Sequence, residues 1–447
     1  MAIAKVRLLM LKPFSLVRYA FSICTSASVL AACSASNNVG IATVPTDVRT
    51  AELARATSAA STKYKSLFSF DVSDGLYPNF GSLTYVDGTL YGTTLEGGAY
   101  DQASGGGGTV FSLTASGKEA LLHSFGNGKD GAFPYAASLA EIHGKLYGTT
   151  LTGGGSSASC SGGCGTVFSI TESGTEKVLY SFKGGTDGAD PDAGVIAVNG
   201  VLYGTTFCGG EYDHGSQCIG GTVFSVTTRG KEKVIYSFGN GHDGANPQSP
   251  LSYTNGTFYG TTDNGGSIGG GTVFSLTTSG SEHVLHSFCL QKSCTDGYLP
   301  RAPVISLNGT LYGTATGGGA YGKGIAYSIN ASGAFHDLHD FGNGSDGIYP
   351  NAGFVVVNGI LYSTTDCGGL HNSSGCIHGL APGGTIFSLS TNGAENVIYS
   401  FGKKSSDGAQ PFSTLIAVKS TLYGTTLDGG AYDGSHGGAG TVFALKL

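Results

Sequence analysis

The sequence predicts an all-β fold, a seven-bladed β-propeller whose N-terminal strand closes the last blade. Three observations carry this. Tyr-Gly-Thr-Thr recurs at Tyr91, Tyr147, Tyr203, Tyr259 and Tyr423, with Tyr-Gly-Thr-Ala at Tyr312 and Tyr-Ser-Thr-Thr at Tyr362. Each copy runs into Gly-Gly, a loop of variable length, and Gly-Thr-Val-Phe or a relative; the motifs are 56, 56, 56, 53, 50 and 61 residues apart. Finally, the two ends of the chain read as complementary parts of one unit. A period of this length means a stacked or radial array of one supersecondary unit.

The first 33 residues read as a targeting segment and are set apart from the fold. Lys5, Arg7, Lys12 and Arg18 form a basic region, and the apolar stretch Tyr19 to Ala32 that follows is short for a membrane span. It ends in Leu30-Ala31-Ala32-Cys33-Ser34. That ending resembles the lipobox of bacterial lipoproteins, which implies cleavage before Cys33 and a diacylglyceryl group on its thiol. Ser34 at the next position implies sorting to an outer membrane or cell surface. The rival is an ordinary signal peptide with an incidental Cys. Residues 34–62, rich in Ala, Ser and Thr and without strand patterning, read as a tether, and residues 63–447 as the propeller.

Composition agrees with a repeated β-structure. The 447 residues include 77 Gly, far above the usual 7% or so, and the excess recurs at fixed repeat positions, where turns need it. Loss of residues 1–33 removes four basic and no acidic residues, so the formal charge moves from −7 to −11. An acidic body without a basic stripe argues against a nucleic-acid partner. A monomer is expected.

Four strands fit each unit. Strand A is an apolar run such as Val195–Val198 or Phe354–Val357, continuous enough to be buried on both faces. Asp87-Gly88, Asn199-Gly200, Asn255-Gly256, Asn308-Gly309 and Asn358-Gly359 then supply the positive φ angles of a type I′ turn into strand B; His143-Gly144 and Lys419-Ser420 depart from that pattern. Strand B is Leu-Tyr-Gly-Thr-Thr and strand C is Gly-Thr-Val-Phe-Ser-Leu. A second tight turn, as at Ser173-Gly174, leads to strand D, as in Val178–Phe182. The last copy stops after strand C, at Thr441–Leu447, while the first is preceded by an orphan strand D, Ser66–Phe70. If the orphan completes the last blade, the ring has seven of every strand and no open edge.

Repeated seven times over residues 64–447, Leu-Tyr-Gly-Thr-Thr-x-x-Gly-Gly with Gly-Thr-Val-Phe resembles the GloVer tandem repeat of bacterial exported proteins. The resemblance implies an exported repeat architecture with assorted anchors. A weaker likeness is to kelch repeats, whose usual fourth-strand Trp is missing here.

In a four-stranded meander the A–B and C–D turns share one face, and the B–C and D–A loops share the other. The short uniform turns are all of the first kind and the long variable loops all of the second, so a site is expected on the long-loop face or at the channel mouth. Apart from Cys24 and Cys33, the cysteines fall in local pairs inside those loops: Cys160/Cys164, Cys208/Cys218, Cys289/Cys294 and Cys367/Cys376. In an exported protein these read as four loop-pinning disulfides. The rival is a metal site at Cys367, His371, Cys376 and His378.

An Asp-Gly pair precedes a Pro by four residues at Asp74, Asp130, Asp187, Asp243, Asp296, Asp346 and Asp407. Seven equivalent carboxylates could ring a cation, such as calcium at the channel mouth; the reading preferred is a turn that orients the chain into the next blade, and no cofactor is expected. His123 and His286 stand where other copies have Tyr180, Tyr236 and Tyr399, and read as structural substitutes. No nucleophile elbow, phosphate loop or acid/base pair is present.

The candidate ligand-binding residues are Tyr-Asp pairs in the B–C loops: Tyr100-Asp101, Tyr212-Asp213 and Tyr432-Asp433, with His436 beside the last. Tyrosine next to carboxylate can stack on a sugar ring and accept its hydroxyl hydrogen bonds. The competing reading packs each Tyr on its own loop, with Asp capping a turn. The sequence therefore leads to a membrane-tethered binding module for a glycan or protein ligand. The alternatives are an exported enzyme of hydrolase, lactonase or lyase type with a cation at the channel mouth, and a structural envelope component.

Overall fold

The computed structural model describes residues 63–447 apart from 79–80, 101–106, 136–137, 156, 158, 214–217, 331, 372–382, 405 and 432–437. Seven four-stranded antiparallel sheets ring an axis, the arrangement of a seven-bladed propeller. In blade one, strands A to D are Thr84–Val86, Thr89–Thr94, Thr109–Thr114 and Glu119–Ser124. Blade seven takes A, B and C from Ile416–Val418, Thr421–Thr426 and Thr441–Lys446, and its outer strand from Lys63–Ser69 at the other end of the body. There Phe68 pairs with Val442 and Ser69 with Thr441. The Phe70 N–H donates to the Gly440 carbonyl at 3.1 Å, as Phe125 N–H does to Gly108 at 2.9 Å within blade one. The closing strand is built like every other strand D.

Aromatic pairing shows why strands C and D both carry a Phe. The Phe that follows strand D of one blade packs edge-on against the strand C aromatic of the next, with ring centroids 5.0–5.3 Å apart at all seven junctions. Phe70 meets Phe111 and Phe401 meets Phe443, so the aromatic belt passes through the closing strand. The Gly of Tyr-Gly-Thr-Thr belongs to the same packing: a Cβ on Gly92 would lie 2.6 Å from the Phe111 ring.

The two threonines of the motif have separate tasks. The second shares a hydroxyl–hydroxyl hydrogen bond of 2.7–2.9 Å with the strand C Thr of its own blade in six blades. In blade five both partners change together, to Ala315 and Ile325, and the buried polar pair becomes an apolar one. The first Thr reaches the next blade, as Thr149 Oγ1 donates to the Ala193 carbonyl at 2.8 Å and Thr314 to Ala352 at 2.9 Å.

Strand A departs from expectation. It is only three residues long and half-buried, as at Val355–Val357, while Val195 and Phe354 just before it are the core residues. The A strands are innermost. Neighbouring ones touch, with Thr84 Oγ1 donating to Leu139 O at 2.6 Å, and both faces pack: Val356 against the core between blades five and six, Val355 and Val357 against the core between blades six and seven. The turns after them all place a non-Gly residue at φ 46–57°, including His143 and Lys419, so the two departures from Asn/Asp-Gly adopt the same turn.

Candidate functional site

The seven Asp-Gly-x-x-Pro segments set the direction in which the chain re-enters the ring. The residue before Pro is in the left-handed region in every copy: Tyr77, Phe133, Asp190, Asn246, Leu299, Tyr349 and Gln410 have φ of 55–60°. Such a conformation costs a non-Gly residue about 1–2 kcal/mol, and it is held because both backbone groups are paired. Asn246, for example, donates its N–H to Gly220 O of the previous blade at 2.6 Å and accepts from the Asp263 N–H of its own strand B at 3.0 Å.

The carboxylates of these segments bond outward. His123 meets Asp130 at 3.1 Å, Tyr180 donates to Asp187 at 2.6 Å, Tyr236 to Asp243 at 2.7 Å, His339 meets Asp346 at 3.2 Å, and Tyr399 donates to Asp407 at 2.8 Å. His286 lies 3.9 Å from Asp296. The strand D Tyr or His is thus the turn's anchor on the rim at five junctions, where His123 takes the place of tyrosine; His286 makes no such hydrogen bond. Among the described residues no three His, Cys, Asp or Glu side chains are grouped to hold a metal ion.

A third group completes five of these junctions. Glu119, Glu176, Glu232, Glu282 and Glu395 open strand D of the following blade, with one carboxylate oxygen each buried without a hydrogen-bond partner. Burial, above all, pushes each up to about 7. The previous blade's Asp74, Asp130, Asp187, Asp243 or Asp346 adds to the rise, while His123 and His339 offset it at Glu176 and Glu395. At the other two junctions rings replace the acid: Phe335 stacks on His286 at 4.0 Å and Tyr64 on Tyr399 at 4.2 Å.

The described Tyr-Asp candidates also lie over the rim. The start of the B–C loop folds onto strand D of its own blade, with the Ala99 N–H on Ser124 Oγ at 3.2 Å. Tyr100 borders an open groove of about 310 Å³ with Leu121, Leu122, His123 and Asn127. Tyr212 sits near Tyr236, and Asp213 accepts the Gly209 N–H at 2.7 Å, closing its own loop. Asp101, Tyr432, Asp433 and His436 lie outside the described residues, as do Cys33, Cys376 and His378. Disulfides join Cys160 to Cys164, Cys208 to Cys218 and Cys289 to Cys294, and Cys367 is also disulfide-bonded. Such bonds fit an oxidising, exported compartment. No helix among the described residues is long and apolar enough to cross a membrane.

Two columns of the repeat do converge on the axis. One is the residue after each Pro; the other is the residue after each Thr-Thr pair. At one junction Arg301 Nε donates to Asp263 Oδ1 at 2.7 Å and its Nη2 to Oδ2 at 3.3 Å; at the next, Thr316 Oγ1 donates to Asn351 Oδ1 at 2.6 Å. Asp192 and Gln248 hold the equivalent places on blades three and four, both buried. Burial first, then the Asp192 carboxylate, raises Tyr135 of blade two above the usual phenol range; Arg301 pulls against this and Asp263 adds to it. Groups from blades two to five therefore meet over the channel. Asp366 on blade six is raised well above the carboxylate range, by burial first and then by Asp428.

The Tyr-Asp pairs are contiguous within single loops, whereas this cluster draws single residues from different blades, which no local motif marks. The available signal was the opposite one. With the repeats aligned on Pro, the next residue runs Asn79, Tyr135, Asp192, Gln248, Arg301, Asn351 and Phe412, a varied column beside an invariant one.

Among solved structures, a streptogramin B lyase is 12% identical, with 86% of this chain and 98% of that chain covered and a TM-score of 0.50. A protein described as a putative gluconolactonase is 10% identical over 87% and 93%, with a TM-score of 0.41, and a europium-containing methanol dehydrogenase 12% identical over 86% and 93%, at 0.44. Likeness at such identity is of fold alone. No curated protein matches the chain. The Gloeobacter/Verrucomicrobia repeat matches residues 53–215 and again 155–378, most of the propeller. With the seven motifs and the blade structure they encode, the chain belongs to the Gloeobacter/Verrucomicrobia repeat family.

Proposed function

We propose that this is an exported propeller, anchored through a lipid on Cys33, that works as a binding module for a glycan or protein ligand on its long-loop face. One observation supports this most: the aromatic belt holds at all seven junctions and the threonine pair in six blades, whereas the residue after each Pro changes from blade to blade. Scaffold positions in a repeat protein stay alike because each must fit the same neighbours. A column that carries Tyr, Asp, Gln, Arg, Asn and Phe in turn is not held to one packing shape.

The enzyme reading has its own support, since the charges of Asp192, Asp263 and Arg301, from three blades, all act on the Tyr135 hydroxyl. One experiment separates the two. The purified mature protein is profiled for saturable binding on glycan arrays and on envelope proteins of its host, and assayed with and without added divalent cations on lactone and ester substrates. Saturable binding without turnover supports the module. Cation-dependent turnover supports the enzyme, and neither result leaves the structural role.

A further inference from the structure

We infer that the channel mouth is a carbohydrate site, in which blades three to six hydrogen-bond the hydroxyls of a neutral sugar and blades seven, one and two cover its apolar face. This rests on the binding-module reading and deepens it.

The argument is the uneven distribution of side chains around the axis. Going round the mouth, blades three to six contribute Asp192, Gln248, the Arg301–Asp263 pair and Asn351 with Thr316. The opposite arc is mostly aromatic and aliphatic, with Phe412, Leu427, Leu95, Leu151 and the ring of Tyr135 at the equivalent positions; in sequence, Asn79 on blade one and Phe207 on blade three are the exceptions to the division. A pyranose has the matching form, with hydroxyls on its edge and C–H groups on its faces, and aromatic rings with nearby polar groups suit such a surface.

Gln248 points to a ligand independently of this pattern. Its side chain is 9% exposed, and its Oε1 is buried without a hydrogen-bond partner among the described residues. A buried amide oxygen left unpaired is destabilising, and a sugar hydroxyl donating to it removes that penalty. Charge narrows the class further. Asp192 and Asp263 outnumber Arg301, so the mouth disfavours uronates and other anionic sugars.

The test uses the full mature protein and immobilised cello-, malto-, xylo- and chito-oligosaccharides, with oligogalacturonate as the anionic probe. Wild type should retain a neutral oligosaccharide and leave oligogalacturonate unbound. Gln248→Leu and Phe412→Leu should each weaken that binding roughly fivefold or more, at an unchanged melting temperature. Tyr100→Ala, on the rim, should bind as wild type. If Tyr100→Ala loses binding while both mouth variants keep it, the carbohydrate site is elsewhere and the binding-module reading stands. If oligogalacturonate binds best, the assignment of a neutral sugar is overturned. If wild type retains a protein ligand but none of the five probes, the sugar assignment falls alone, and if it retains neither, both readings fall.

Discussion

Replacing Phe70 by Ala tests whether the N-terminal strand is part of the ring or an appendage to it. The Phe70 ring is fully buried and lies 5.0 Å from both Phe68 and Phe111, the latter in blade one. Phe182 has the same surroundings in the middle of the chain, 5.3 Å from Tyr180 and 5.0 Å from Phe224. Truncating a buried Phe to Ala costs about 3–5 kcal/mol through lost transfer energy and the cavity left behind. Unfolding entropy of about 2.1 cal/mol/K per residue gives roughly 0.8 kcal/mol/K for a body of this size, so a loss of about 4 kcal/mol lowers Tm by about 5 °C. Scanning calorimetry on wild type, Phe70→Ala and Phe182→Ala should show one transition in each, with equal falls for the two variants. A Phe70→Ala protein that melts with wild type, beside a Phe182→Ala protein that does not, would refute closure by the N-terminal strand.

Other outcomes follow from the same structure. The five rim glutamates keep protons in the folded ring that the unfolded chain has released; their stabilisation is full below about pH 4.5 and is lost as pH rises through about 7. The Tm of wild type should therefore fall between pH 5 and 7.5 relative to a variant with all five changed to Gln, and the opposite slope would contradict the rim assignment. Restoring the Thr pair of blade five with Ala315→Thr and Ile325→Thr together should cost less than the two single changes added, since a lone hydroxyl there lacks a partner; additive losses measured by urea denaturation would count against the pairing. Cys33→Ser should leave an unprocessed or unlipidated protein on metabolic labelling with palmitate, and a labelled, processed variant would rule out the anchor. Peptide mapping without reduction should recover Cys367 linked to Cys376; a cross-blade partner would contradict the local pattern.

Most of the fold was legible in the sequence because each blade is specified locally. The A–B and C–D turns carry their own Gly, the strands their alternation, and the ends their missing halves. What was not legible depends on residues one blade apart. Glu232 meets the Tyr180–Asp187 pair across a blade interface, and nothing in either segment alone marks the meeting. Tyr135 and Arg301 are distant in sequence yet act on one another over the channel, because the left-handed residue and Pro of each segment turn the next side chain to the axis. Strand A is shorter than its apolar run suggests: Phe354, just before it, is buried, while Val355 and Val357 pack half-buried against the core of the next blade.

The account's central claim is that the binding surface is the channel mouth and not the rim. Hydrogen exchange measured by mass spectrometry, on wild type with and without the oligosaccharide it retains most tightly, tests this directly. The prediction is slowed exchange in residues 246–249, 299–302 and 349–352, with the loops around Tyr100 and Tyr212 unchanged. Protection confined to those rim loops, with the mouth segments exchanging as before, would contradict it.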